Sequence, residues 1–564
     1  MSRWIASLVF LGTLAFFGAF LLWPVGQIVQ GGFVDSAGHF TLAHVAAVLG
    51  HPLYREGLLN SLLLAAATTA LTFLVALPLA YFSDRYRFPG KAALSALILV
   101  PLILPPFVGA IGLRQIFGQY GALNALLWHI GLLAEGNTVD WLAHARFWGV
   151  ALAEALNLYP IVFLNAVAAL ANVDPAMEEA AANLGCTGWR RFRRITLPLI
   201  RPGLFAGGTI VFIWSFTELG VPLVFDYDRV ASVQLFALLK EMTGNPAPYA
   251  LVALLLLSST LLYALGRGVF GRTGHAMMAK ATTTGSARAL PWWRGLPLTL
   301  AFVGVLLLAV LPHVGVVLVA CSRDWYATVL PERFTLENFS LALGHDLTVP
   351  SIANSLHYAA LATVLDLALG VAIAWVVVRS RLPGRKILDT LVMLPLAVPG
   401  LVLAFGYLAM TREGRLFACL DPVENPTVLL VVAYAVRRLP YVVRAAAAGF
   451  EQTSVTLEEA ARNLGATAWR ALRRITLPLI SANLIAGGLL AFAFAMLEVS
   501  DSIILAQKQA YFPITKAIYE LFQLLGDGRF LASALGAWAM AFLALTIVAL
   551  GLLLGKRAGT LFRG

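Results

Sequence analysis

Charge is scarce in this chain. Asp, Glu, Lys and Arg make up 12% of its 564 residues against 60% hydrophobic residues, and mean hydropathy is +0.82. A water-soluble core cannot bury that much apolar surface, which excludes an ordinary soluble fold. Cysteine is scarcer still: Cys186, Cys321 and Cys419 fall in separate regions, so neither a disulfide framework nor a metal knuckle is expected. No G-x-x-x-x-G-K-S/T segment occurs, and the chain has no phosphate-cradling loop of its own. The histidines are scattered, and His39, His44 and His51 share one segment at a spacing that fits no helical metal pair. No metal site is assigned.

What is abundant is apolar sequence in runs of about 20 residues, the length that crosses a bilayer as a helix; about twelve recur from end to end. The first, WIASLVFLGTLAFFGAFLLWPV, is too long for a signal-peptide core and is read as a retained span. A net charge of +11 would point to nucleic acid in a soluble protein. Here the Lys and Arg residues lie in short loops, mostly on the side of Arg3, and the positive-inside rule places both termini in the cytoplasm. The bilayer is the expected partner, and nucleic acid is not.

The sequence repeats itself. NSLLLAAATTALTFLVALPLAYFSDRYRFPGK from Asn60 aligns with NSLHYAALATVLDLALGVAIAWVVVRSRLPGR from Asn354 at an offset of 294 residues, which falls to 280 further on. The difference places an insertion between Gly112 and Glu154, in an outside loop where added length is cheap. Six spans per half keep both copies in one orientation, so the halves are parallel and not inverted. The expected domains are residues 1–270, a Gly/Ser/Thr-rich basic cytoplasmic linker 271–296, and residues 297–564.

The least diverged part of the repeat is polar. EEAAANLGCTGWRRFRRITLPLI from Glu178 and EEAARNLGATAWRALRRITLPLI from Glu458 differ at five positions. Asp174-Pro175 starts a helix in the first copy, and Ser454 or Thr456 caps it in the second. Gly185 and Gly465 stop that helix, and Thr187 and Thr467 are placed to cap a second one that carries Trp189 and Trp469 and ends near the Leu-Pro pairs at 197–198 and 477–478. The result is a helix-turn-helix hairpin whose small residues Ala180 and Ala181, with Leu184, leave room for a partner, and whose arginines Arg190, Arg191, Arg193 and Arg194 lie at headgroup level. An interfacial hairpin that merely anchors the bundle is the alternative; two near-identical copies between diverged flanks favour a shared contact.

These residues carry a family resemblance. Glu179-Ala180-Ala181, Gly185, Ile195 and Leu197-Pro198, and again Glu459-Ala460-Ala461, Gly465, Ile475 and Leu477-Pro478, resemble the EAA loop of permease subunits of binding-protein-dependent ABC importers. Two loops in one chain resemble the fused permeases of the ferric-iron family and its thiamine, sulfate and phosphonate relatives. The resemblance implies an all-α membrane protein of the type I ABC importer permease fold, with about twelve spans in two parallel six-helix repeats. It implies that Glu179, Ala180, Ala181 and Gly185, with Glu459, Ala460, Ala461 and Gly465, couple to two copies of a cytoplasmic ABC ATPase. It further implies a periplasmic or extracellular binding protein, a bacterial inner-membrane location, and ATP and magnesium in the ATPase alone, so that this chain is not an enzyme. Ferric iron or a similar small ion is the expected cargo, with thiamine, sulfate, phosphonate or polyamine as alternatives.

Ionisable groups inside spans are costly and usually face a cavity or a partner. Glu218 and Glu498 occupy equivalent places in the span after each hairpin, and Asp501 lies near the second. They either line a pathway or pair with the in-span arginines Arg437, Arg438 and Arg444. Asn157 aligns with Arg437, so the halves differ in charge where the fourth span carries Pro160 or Pro440, an asymmetry that suits an asymmetric substrate, and Asn157, Arg437 and Arg444 join Glu218, Glu498 and Asp501 as pathway candidates. Glu154 and Asp366 are expected to reach water from span ends. Two further classes remain open at this stage, an ion-driven secondary transporter and a membrane scaffold.

Overall fold

A backbone surrounded by lipid has to satisfy its N–H and C=O groups within its own segment, so apolar runs become helices. The computed structural model describes residues 3–561 apart from Ser36, Glu135, 240–244 and 271–287. Among the described residues, 7 helices are long and apolar enough to cross a membrane: Trp4–Phe33, Pro52–Arg85, Arg146–Ala171, Gly188–Phe216, Trp292–Ala320, Thr348–Arg379 and Gly528–Thr546. Three bent pairs raise the number to 10 if each is one span. Ala247–Phe270 and Thr427–Gln452 fill the remaining places of the repeat; the second carries Arg437, Arg438 and Arg444 and is correspondingly less apolar. The architecture is the expected all-α one; among the described residues it is broken by two short strand pairs, Tyr86–Arg87 with Arg288–Ala289 and Ser322–Asp324 with Arg333–Phe334.

Proline sets two of the bends. Lys91–Ile103 and Pro106–His129 meet at 94° across Leu104-Pro105, and Arg385–Leu396 and Gly400–Met410 meet at 99° across Pro399. Proline offers no N–H to the preceding turn and disfavours helix in the residue before it, so the span breaks there. The third bend, 75° between Ala468–Leu479 and Ser481–Met496, falls at Ile480. Its counterpart Gly188–Phe216 is one helix.

Two compact units partition the chain differently from the repeat. One comprises Met1–Val48, Leu239–Ala253 and Phe339–Gly564; the other comprises Leu49–Leu238 and Leu254–Asn338. Each is built around one sequence half and takes its first span from the other. In the first unit Gly406 faces Pro24 so closely that a Cβ would lie 2.8 Å from the proline Cβ, and the Tyr407 hydroxyl donates to the Phe20 carbonyl at 2.8 Å. In the second unit Gly112 meets Pro312, where a Cβ would come within 2.5 Å of the carbonyl oxygen. Glycine at 112 and 406 is therefore what lets each exchanged helix approach its bent span. Residues 271–287 of the expected linker lie outside the described residues. The rest of it departs from a flexible join, because Arg288–Ala289 pairs with Tyr86–Arg87 and a helix begins at Trp292.

Candidate functional site

Both hairpins fold as their cap residues dictate. Asp174 accepts from the Ala176 N–H at 2.9 Å and starts the helix Pro175–Asn183; Ser454, rather than Thr456, accepts from the Thr456 N–H at 3.3 Å and starts Val455–Asn463. Gly185 at φ +76° and Gly465 at φ +86° close them. The Gly185 and Cys186 N–H groups bond back to the Ala182 and Ala181 carbonyls, and Gly465 and Ala466 to Arg462 and Ala461, the same left-handed Schellman cap twice. The cap turns Leu184 and Leu464 outward, 88% and 90% exposed, beside Trp189 and Trp469 at 73% and 65%. Thr467 caps the next helix through the Arg470 N–H, whereas Thr187 makes no such bond. In the first copy that helix does not stop at Leu197-Pro198 but passes through a five-residue π turn, Phe192–Thr196, into Leu197–Phe216, because proline is tolerated in the first turn of the following segment; in the second it passes the corresponding turn, Leu472–Thr476, and ends at Leu479, next to Leu477-Pro478 as expected.

An anchor holds each hairpin from within. The Glu178 carboxylate contacts the Arg85 guanidinium and accepts the Thr196 hydroxyl at 2.5 Å; Arg85 ends the second span. Burial works to raise the Glu178 pKa, but the hydrogen bonds from Arg85 and Thr196 and the charges of Arg85 and Arg191 outweigh it and hold the group below its ordinary value. In the second copy Thr476 donates to Glu458 at 3.0 Å, and Arg379 reaches Glu458 only through Nε at 3.8 Å.

The membrane carboxylates separate by half. Glu498 is buried between Arg437 and Arg438, and Asp501 lies 3.3 Å from Arg437. These groups join Thr427–Gln452 to the break after Met496, where the Glu498 carbonyl accepts from the Ser502 and Thr515 hydroxyls. Glu218 in the first half is half-buried and turns its carboxylate onto the Gly220 and Val221 N–H groups at 3.0 and 3.4 Å, and its carbonyl accepts from Ser232 at 2.7 Å. Irregular backbone at membrane depth is thus satisfied in both halves by side chains.

The profile of the family described as binding-protein-dependent transport system inner membrane component matches residues 76–275 and again 366–558. This chain belongs to that family, as a fused ABC permease. The permease is 28% identical over 513 residues to the putative ferric transport system permease protein FbpB 1 of Haemophilus influenzae, across 89% of this chain and 78% of that one. It is 26% identical over 508 residues to the ferric transport system permease protein FbpB of Actinobacillus pleuropneumoniae, across 89% and 71%. The sulfate transport system permease protein CysT of Escherichia coli is 30% identical over 258 residues, 45% of this chain and 88% of that one. A solved bacterial ABC transporter involved in the import of alginate covers 48% of this chain at 18% identity and TM-score 0.38.

The permease places the sequence-derived candidates unevenly. Glu179, Ala180, Gly185, Glu459, Ala460 and Gly465 are exposed on the hairpins, while Ala181 and Ala461 face inward at 7% and 9% exposure and belong to the hairpin's own packing. Arg437 joins Glu498 and Asp501, and Asn157 is half-buried. Arg444 instead pairs with Asp389 at 3.3 Å on the surface. Glu154 and Asp366 do not reach water. Both are 1% exposed: Glu154 accepts from Thr68 at 3.3 Å and from Ser215, hydroxyls that replace water, and Asp366 feels the charge of Arg438. Among the described residues no group of three His, Cys, Asp or Glu is placed to hold a metal ion. Sequence reasoning missed the anchors Arg85, Glu178 and Thr196 with Arg379, Glu458 and Thr476. Their signal was the alignment itself, which keeps an arginine at the end of both second spans.

Proposed function

We propose that this permease is the membrane subunit of an ATP-driven importer, with one copy of a separate ABC ATPase seated on each hairpin and ferric ion, delivered by a periplasmic binding protein, as cargo. The carrying observation is the twice-built Schellman cap that leaves Leu184 and Leu464 bare. Apolar knobs held out by a rigid turn mark a partner surface. ATP and magnesium belong to the partner, since this sequence has no phosphate loop. The Lys and Arg bias supports an inner-membrane protein with both termini and both hairpins cytoplasmic. The fused ferric relatives, matched along 89% of the chain, support the cargo. The ion pairs of Glu498 and Asp501 with Arg437 and Arg438 support a helix-holding role for that cluster, which leaves Glu218 and Asn157 as pathway candidates. ATP-driven closure would bring the hairpins together and switch the pathway between two rigid-body states.

Reconstitution with its ATPase and binding protein in vesicles tests this reading. Radioactive ferric ion should accumulate only with ATP present. Uptake by the permease alone, or uptake driven by a proton gradient without ATP, overturns the importer assignment; ATP-dependent uptake of sulfate or molybdate in place of ferric ion overturns the cargo alone.

A further inference from the structure

The two hairpins are anchored to their spans by different means. In the first, the buried Glu178 contacts Arg85, and an aromatic path runs beside this pair: Trp189 stacks on Phe192 at 5.2 Å, Phe192 meets Tyr81 edge-on at 5.1 Å, and the Arg85 guanidinium lies 5.3 Å from the Tyr81 ring centre. The hairpin helix then continues unbroken through Gly188–Phe216. In the second, Arg379 turns its Nη2 to the Phe450 and Thr453 carbonyls at 2.8 and 2.6 Å, so it caps the end of Thr427–Gln452 and not the hairpin. Its pair with Glu458 is the 3.8 Å contact, and the span that follows bends 75° at Ile480.

The five differences between the copies bear on this contrast. Two of them, Arg191 for Ala471 and Phe192 for Leu472, reinforce the first anchor, Arg191 by its charge on Glu178 and Phe192 by its ring on Tyr81. At the second hairpin Ala471 and Leu472, with Arg379 and Glu458, instead line a cavity of about 470 Å³. A buried carboxylate held by both an arginine and a hydroxyl resists displacement, because withdrawing it from them leaves a bare charge, whereas a long contact beside a cavity yields easily.

Resting on the coupling reading above, we infer that Arg85, Glu178 and Thr196 are positioning residues that fasten the first hairpin rigidly to the second span, and that the second hairpin is the compliant one. Motion of the ATPase under the first hairpin is thereby passed directly to the Pro52–Arg85 helix. At the second hairpin part of it is absorbed at Ile480. The halves of one permease are mechanically unequal although their loops are almost the same sequence.

The test uses the assembled transporter in vesicles with ferric-ion-loaded binding protein, and compares ferric uptake per ATP hydrolysed in E178Q, T196V, E458Q and the exchanged pair R85E/E178R. With the ATPase still co-purifying, the ratio should fall on the order of tenfold in E178Q, the scale by which residues along a coupling route act. T196V, which only removes one donor, should fall in the same direction by less. E458Q should lose clearly less than E178Q, and the exchanged pair should recover a large part of the ratio, which general destabilisation would not permit. Equal losses in E178Q and E458Q, an unchanged ratio in T196V and E178Q, or no recovery in the exchange overturns the inference. A wild-type permease that retains no ATPase at all overturns the coupling reading together with it.

Discussion

Gly185 and Gly465 lie in the left-handed region, yet nothing stands within 4 Å of where a Cβ would be at either position. The cost of another residue there is backbone strain of about 1–2 kcal/mol, least for Asn and Asp, and not a clash. The double variant G185D/G465D is therefore expected to insert and stay monodisperse by size exclusion while losing ATP-dependent uptake, since the added charges stand beside the bare leucines. The corresponding valine pair should lower thermal stability as well. Glu178 supplies a pH signature. Its pKa is held below the ordinary 4.5 in the folded chain, so the stabilisation is fully present above that value and is lost as pH falls through the lower folded one. The melting-temperature gap between wild type and E178Q should be flat well above pH 4.5 and should narrow as pH falls below 4.5 toward the lower folded value.

At the level of elements, burial decides what a carboxylate substitution does. E498Q leaves Arg437 and Arg438 against a neutral amide in a buried site, for an expected loss of about 3–5 kcal/mol. E154Q keeps an acceptor toward Thr68 and Ser215 and should cost less, about 1–3 kcal/mol. Thermal unfolding of both variants in detergent checks the order, and an equal or reversed order would count against the ion-pair account. The caps Asp174, Ser454 and Thr467 and the turn glycines were legible in the sequence because they act through neighbours within four or five residues, while Thr187 was not. The fate of Glu154, Asp366 and Arg444 was not legible, since it depends on helices far away in sequence: Thr68 and Ser215 come to Glu154 from two other spans, and Asp389 draws Arg444 to the surface. Local signals gave the type of each element, and only packing gave the direction in which each charge points.

For the whole molecule, the repeat was visible as aligned sequence, but the exchange of first spans was not, because Pro24 and Pro312 carry no label for the glycine they meet. Each compact unit needs a helix encoded in the other half: Trp4–Phe33 lies on Gly400–Met410, and Trp292–Ala320 lies on Pro106–Phe117. Expressed separately, residues 1–270 and 297–564 each lack a packing partner and should be degraded or aggregate, whereas co-expression should restore soluble, monodisperse protein in detergent. Stable folding of either half alone would show the exchanged helices to be dispensable.

The π turns at Phe192–Thr196 and Leu472–Thr476 have a consequence for how such a duplicated chain tolerates change. A residue added to an α-helix rotates everything beyond it by about 100°, and a widened turn is where such an addition is taken up. Removing Arg194 would therefore restore the ordinary pitch within the turn and leave Leu197–Phe216 in its present register. A single-codon deletion here would be absorbed inside the turn, so hairpin and membrane segment would keep their mutual orientation while the link between them lost a residue.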